Sequence, residues 1–165
     1  MKKFIVVAMV LTVGGVAYGS SIGVPWFVDF APAAQKVPPE SYGITGLVYL
    51  NNGTASAITC SIQYYNPAGT CVGPWAPDNT FVINAGASIG FRPGVYDPNT
   101  VPGGQEDPLS GLLVPHRPTD FIPPGETEPD TQLWGSLRIE WEGAATDITG
   151  MYSQFQHVGA NNVPH

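Results

Sequence analysis

Glycine and proline set the limits on what this chain can fold into. Twenty glycines and seventeen prolines are spread through 165 residues. Both residue types break helices, and no stretch between them has the helical spacing of apolar residues. Bundles, coiled coils and doubly wound folds are therefore not expected. The segments between the breakers alternate apolar with polar residues, which is the pattern of half-buried strands.

Six or seven such segments stand out. Residues 44–50 are β-rich and end at Asn51-Asn52-Gly53, a turn signal. Residues 57–65 put Ile58, Cys60, Ile62 and Tyr64 on one face and Thr59, Ser61 and Gln63 on the other. Residues 80–83 run through Asn84-Ala85-Gly86 into 87–92. In 133–141, Leu133, Leu137, Ile139 and Trp141 oppose Ser136, Arg138 and Glu140, and Gly135 interrupts the apolar face as a bulge would. Residues 147–155 form the last segment. Residues 22–30 add another, which Pro25 restricts to a sheet edge or a strand start. The expectation is one domain, an antiparallel β-sandwich of six to eight short strands.

The order of phrases resembles small immunoglobulin-like domains of exported bacterial proteins. GLVYLNN at 46–52 is followed by IQYYNPAG at 62–69, FVINAGASIGFRP at 81–93 and GSLRIEW at 135–141. The resemblance spans about residues 43–93 and 133–156. It implies an immunoglobulin-like sandwich in the cell envelope or outside the cell, and carries over no active site.

The N-terminus reads as an export signal over 1–19. Lys2 and Lys3 precede an apolar run at 4–17, and Ala17-Tyr18-Gly19 offers the small residues of a cleavage site. The run is short for a membrane span, and no cysteine follows it for lipid attachment. A retained membrane anchor is the alternative. Residues 20–42 then read as an N-terminal arm or edge strand, and 43–165 as the sandwich domain. Without the signal, Lys36, Arg92, Arg117 and Arg138 face thirteen carboxylates, for a net charge of −9. Nucleic acid and anionic membranes are thereby disfavoured as partners. Arg92 and Arg117 both precede proline, where trypsin-like proteases cut poorly; durability outside the cell and coincidence both account for this.

Cys60 and Cys71 are the only cysteines, and in an exported chain such a pair is expected to form a disulfide. A regular hairpin around Asn66-Pro67-Ala68-Gly69 would place Tyr64 opposite Cys71 and leave the cysteines about 13 Å out of register, beyond the about 7 Å limit between their Cα atoms. The disulfide therefore requires the chain after Gly69 to bend back as a loop.

Eight prolines fall in a long insertion at 94–132, read as a binding loop, an arm for a neighbouring subunit or a surface decoration. Its acidic residues Asp97, Glu106, Asp107, Glu126, Glu128 and Asp130 are the candidate ligands for calcium. A solvated acidic surface explains them equally, and no other cofactor is expected. His116 and Asp120 could pair in the same loop, though no nucleophile or third ligand accompanies them. Gly86-Ala87-Ser88-Ile89-Gly90 matches a nucleophile-elbow pattern, but Phe91-Arg92-Pro93 cannot start a helix after it, so Ser88 is read as a strand residue. Trp75, between Pro74 and Ala76-Pro77, is the candidate for stacking on a glycan. Asn52-Gly53-Thr54 matches a glycosylation acceptor, which its turn role already explains.

Two functional expectations emerge, neither enzymatic. The first is a secreted structural protein, a subunit of a filament, tube or surface coat, with other copies of itself as partners. Ile22, Val24, Trp26, Phe27, Val28 and Phe30 would form an assembly arm that adds a strand to a neighbour, or else an ordinary first strand. No lysine after Lys36 protects a sheet edge. The second is a cell-surface module that binds a glycan or a protein.

Overall fold

A computed structural model describes residues 19–30, 43–94, 105–106 and 113–156. The described residues form strands and no helix: β1 (Gly19–Val28), β2 (Ile44–Asn52), β3 (Ile58–Tyr65), β4 (Cys71–Gly73), β5 (Thr80–Ile83), β6 (Ser88–Phe91), β7 (Gln105–Glu106), β8 (Leu113–Val114), β9 (Trp134–Glu142) and β10 (Ile148–Gln156). Every pairing is antiparallel.

The first sheet has five strands in the order β1-β9-β3-β4, with β5 also on β3. β4 and β5 share one edge of β3: Ile58 to Ser61 pair with β5, and Tyr64 and Tyr65 with β4. The second sheet has the order β10-β2-β6. β7 and β8 make a separate two-stranded ribbon.

Alternation sorts the side chains. β9 buries Leu137, Ile139 and Trp141 and turns Arg138 and Glu142 outward. β3 buries Cys60, Ile62 and Tyr64 beside them. Val48 and Leu50 of β2, Ile89 and Phe91 of β6, and Ile148 of β10 belong to the same apolar cluster. The fold is thus all-β, with two antiparallel sheets contributing to one core, as a β-sandwich requires. Between the sheets, Phe81 and Phe91 meet at 6.4 Å between ring centroids, and within the first sheet Phe27 meets Tyr64 edge-on at 5.9 Å.

Two local expectations acquire a mechanism. Asn66-Pro67-Ala68-Gly69 is a tight turn: the Gly69 amide donates to the Asn66 carbonyl at 2.9 Å, and the Thr70 amide to the Asn66 side chain at 2.9 Å. Gly135 is required by its backbone, with φ +150° in a region that disfavours side chains. A Cβ there would run into the Tyr65 carbonyl of β3. Gly135 pairs with Phe27, just past the register shift of β1 between Val24 and Phe27, so the irregularity falls where the interrupted pattern put it.

Other expectations need correction. β4 replaces the loop that was to bend back after Gly69, and the short strands β7 and β8 lie in the insertion at 94–132. The second half of that insertion packs on the sandwich: Val114, Pro115, Arg117, Pro123 and Asp130 are buried. Tyr64, at the end of β3, fixes it by donating its hydroxyl to the Pro115 carbonyl at 2.8 Å. The export-signal expectation at 1–19 falls outside the described residues except for Gly19, the first residue of β1.

Candidate functional site

The assembly-arm residues lie in β1 and just after it. β1 pairs with β9 of its own chain from Gly19↔Glu142 to Val28↔Trp134. The ordinary-first-strand reading therefore describes this chain, and a free arm does not. The reason is burial: Phe27 is fully buried and Val24 nearly so, which an undocked strand would forgo. Trp26 and Phe30 remain exposed, at 49% and 45%. The end of β1 then crosses toward the second sheet. The Val28 amide donates to the Tyr152 hydroxyl at 3.1 Å, and the Phe30 amide to the Ile44 carbonyl at 2.9 Å. Gly46 leaves room for this crossing; a Cβ there would sit 2.8 Å from both the Tyr152 hydroxyl and the Val28 carbonyl.

β1 and β10 are the edges of the two sheets on this side. Between them runs a groove of about 270 Å³, with Ile22, Val24 and Trp26 on one wall, Met151 and Tyr152 on the other, and Ile139 among its inner lining. On the outer face of the second sheet, Tyr49, Ser88, Met151 and Ser153 line an open depression of about 500 Å³. No charged residue lines either one. Met151, 60% exposed, borders both.

The opposite character appears where the strands meet the proline-rich segment. Asp29 is fully buried, and its Oδ1 accepts from Arg92 Nε at 2.9 Å and Nη2 at 2.6 Å. The Gly94 amide donates to Oδ2 at 3.1 Å. Burial raises the Asp29 carboxyl above its ordinary range, against the opposing pull of Arg92 and the Gly94 and Gly46 amides. Arg117, also fully buried, sets Nη2 2.8 Å from Asp130 Oδ1 and donates through Nη1 to the Pro118 and Asp130 carbonyls. Its backbone amide donates to the Pro93 carbonyl at 2.9 Å. Burial also drives the Tyr64 hydroxyl well above its usual range, with the Asp29 charge adding to the effect and Arg117 opposing it. Each of the two buried arginines thus faces a buried carboxylate, Arg92 with Asp29 and Arg117 with Asp130.

Asp130 is committed to Arg117, while Glu126 and Glu128 are exposed in the loop. Asp97 and Asp107 lie outside the described residues, as does the side chain of Glu106. Among the described residues, no three His, Cys, Asp or Glu side chains are grouped to hold a metal ion.

The disulfide is corrected outright: Cys60 and Cys71 are free thiols. Tyr65 pairs with Cys71, so Cys60 lies five residues further along β3, about 17 Å away at strand spacing. The hairpin continues as strand pairing and holds the cysteines apart. Burial pushes the Cys60 thiol up to about 12, which keeps it protonated and inert.

Trp75 is half exposed and held from two sides. Its ring meets Phe121 at 5.1 Å between centroids with the planes tilted by 54°, and it packs against Gly73, where a Cβ would sit 2.8 Å from the ring. Ile122, next to Phe121, is also exposed. Ser88 is an exposed residue at the start of β6, and its Oγ accepts from Asn51 Nδ2 at 3.0 Å. His116 is partly buried; burial lowers its pKa, with Asp120 opposing.

Asn52, a turn residue by its sequence context, is a buried clamp. Its Nδ2 donates to the carbonyls of Ser56, Ile83 and Asn84, and its Oδ1 accepts from Thr54. That nitrogen is not presented for glycosylation. Sequence reading also missed both buried ion pairs, for which the scarcity of basic residues in an apolar chain was the available signal. No protein-family model, curated protein or solved structure matches this chain.

Proposed function

We propose that this protein is an exported structural subunit, built as an immunoglobulin-like sandwich, that assembles with copies of itself through its sheet edges into a filament, tube or surface coat. The observation that carries this reading is the character of its two long edge strands. β1 has ten residues and β10 nine, and neither contains a charged residue. Natural edge strands are commonly protected from pairing by charges, prolines, bulges or brevity. β1 has Pro25 and a register shift, whereas β10 pairs with β2 through nine consecutive residues without a shift. The other edges, in β4, β5 and β6, are short.

In this reading the protein is not an enzyme, and the buried ion pairs act as braces for its loops. The test is light scattering and electron microscopy on the protein purified after export, in calcium and in chelator. Particles or filaments that grow with concentration are expected in both conditions. A monomer throughout overturns the reading.

A second reading, a cell-surface module for a glycan or a protein, is favoured by the Trp75–Phe121 platform. Aromatic rings held rigidly at a surface suit stacking on sugar rings. A glycan array compared between the protein and Trp75→Ala tests it: loss of a specific signal in the variant supports the platform, and no signal from either protein rejects it.

A further inference from the structure

The geometry points to one contact within that assembly: β10 pairs antiparallel with β10 of a second copy across a two-fold axis. This inference rests on the proposed self-association and specifies its surface. Among the described residues β10 pairs only with β2, so within them its other edge has no strand partner for its backbone donors and acceptors. A second β10 offers the same edge and satisfies both, and antiparallel self-pairing closes as a dimer.

Charge selects the partner. The chain carries −7 in full and −9 without residues 1–19, so two copies repel wherever carboxylates face each other. Neither depression beside β10 has a carboxylate in its lining, so a second acidic copy can approach there at least electrostatic cost. A basic partner would be drawn elsewhere, toward Glu126, Glu128, Glu140 and Glu142.

The size is adequate. Nine residues span about 30 Å. Two sheets about 10 Å apart with their outer side chains make a side about 20 Å wide. The product is about 600 Å² per partner, at the lower limit of specific interfaces. Met151 would be covered on the outer face of the added strand, and Trp26 on the groove side.

The experiment uses the protein purified after export, compared with Met151→Glu and with Thr59→Glu, a control on the outer face of the first sheet. Sedimentation velocity over a concentration series reads the dimer, circular dichroism checks the fold, and hydrogen exchange reads the β10 amides. The wild type and Thr59→Glu are expected to dimerise alike. Met151→Glu is expected to dimerise at least about tenfold more weakly, because two like charges are brought together across the axis. The β10 amides are expected to exchange more slowly as concentration rises. If the protein assembles but Met151→Glu and the β10 amides do not respond, this contact is wrong while the assembly reading stands. A monomer at every concentration overturns both. Slow β10 exchange that is independent of concentration means the chain covers its own edge, and it too overturns the contact.

Discussion

Replacing Asp130 by asparagine tests whether the buried arginine is held by charge. The shape is retained, and Oδ1 can still accept from the Gln132 amide. What is lost is the carboxylate 2.8 Å from Arg117 Nη2. Arg117 is 0% exposed, and its other acceptors are two carbonyls at 3.0 and 3.3 Å. Removing one partner of a buried ion pair typically costs about 3–5 kcal/mol. The surviving carbonyl bonds place Asp130→Asn at the lower end, about 3 kcal/mol. With a urea slope of about 1–3 kcal/mol per molar, the unfolding midpoint falls by about 1–3 M.

The comparison is Glu140→Gln, which breaks the Arg138–Glu140 pair. Those side chains are 49% and 42% exposed, so its loss is worth at most about 1 kcal/mol. Urea unfolding followed by tryptophan fluorescence at neutral pH reads all three proteins. Arg117→Met combined with Asp130→Leu should recover most of the loss, because no charge is left buried. If Asp130→Asn matches Glu140→Gln within about 0.5 kcal/mol, the Arg117 charge is hydrated and the argument fails. The pH dependence has the same origin. Burial would raise the Asp130 carboxyl, but the Arg117 hydrogen bond and charge, with the Gln132 amide and Asn66, hold it below 3.8. The unfolded chain then binds the proton more readily. The stabilisation is complete above 3.8 and is lost as pH falls through the lower folded value.

Three further outcomes are expected. Gly135→Ala should destabilise by about 2 kcal/mol or more, since it adds backbone strain to a collision with the Tyr65 carbonyl; an unchanged thermal midpoint would refute the close approach. In native protein a thiol reagent should titrate Cys71 and spare Cys60 until unfolding, and a reductant should leave the stability unchanged; a mass two hydrogens lighter than the dithiol would show a disulfide after all. His116 should contribute an acid-side slope: its folded pKa lies below 6.5, so stability present above 6.5 is drawn down as pH falls toward the folded value. His116→Gln should remove that slope from urea midpoints measured between about pH 7.5 and about pH 5, and an unaltered slope would assign it to another group.

Much of the fold was legible because alternation is a local property. The residues assigned to the inner face at 57–65 and 133–141 are the ones buried on β3 and β9, except that Ile58 and Leu133, at the starts of those segments, are only partly buried. Turn chemistry at Asn66-Pro67-Ala68-Gly69 and the interruption at Gly135 were equally local, and both stand in the structure. The candidate site was less legible. The residues of β1 were recognisable as apolar, yet whether they dock on their own β9 or on a neighbour depends on a strand more than a hundred residues away. Cys60 and Cys71 show the same limit. Their spacing permits a disulfide or a hairpin, and the pairing of Tyr65 with Cys71 decides.

Alone, the sequence determined that the described residues build antiparallel strands and no helix, because breaker density and side-chain alternation act within a few residues. Only the tertiary structure decided which strands became edges. It also showed that scarce charges are spent inside, Asp29 on Arg92 and Arg117 on Asp130, and that an uncharged strip runs along β10. Those outcomes arise from pairing between residues far apart in the chain, where burial and the cost of isolated charge are settled jointly by both partners.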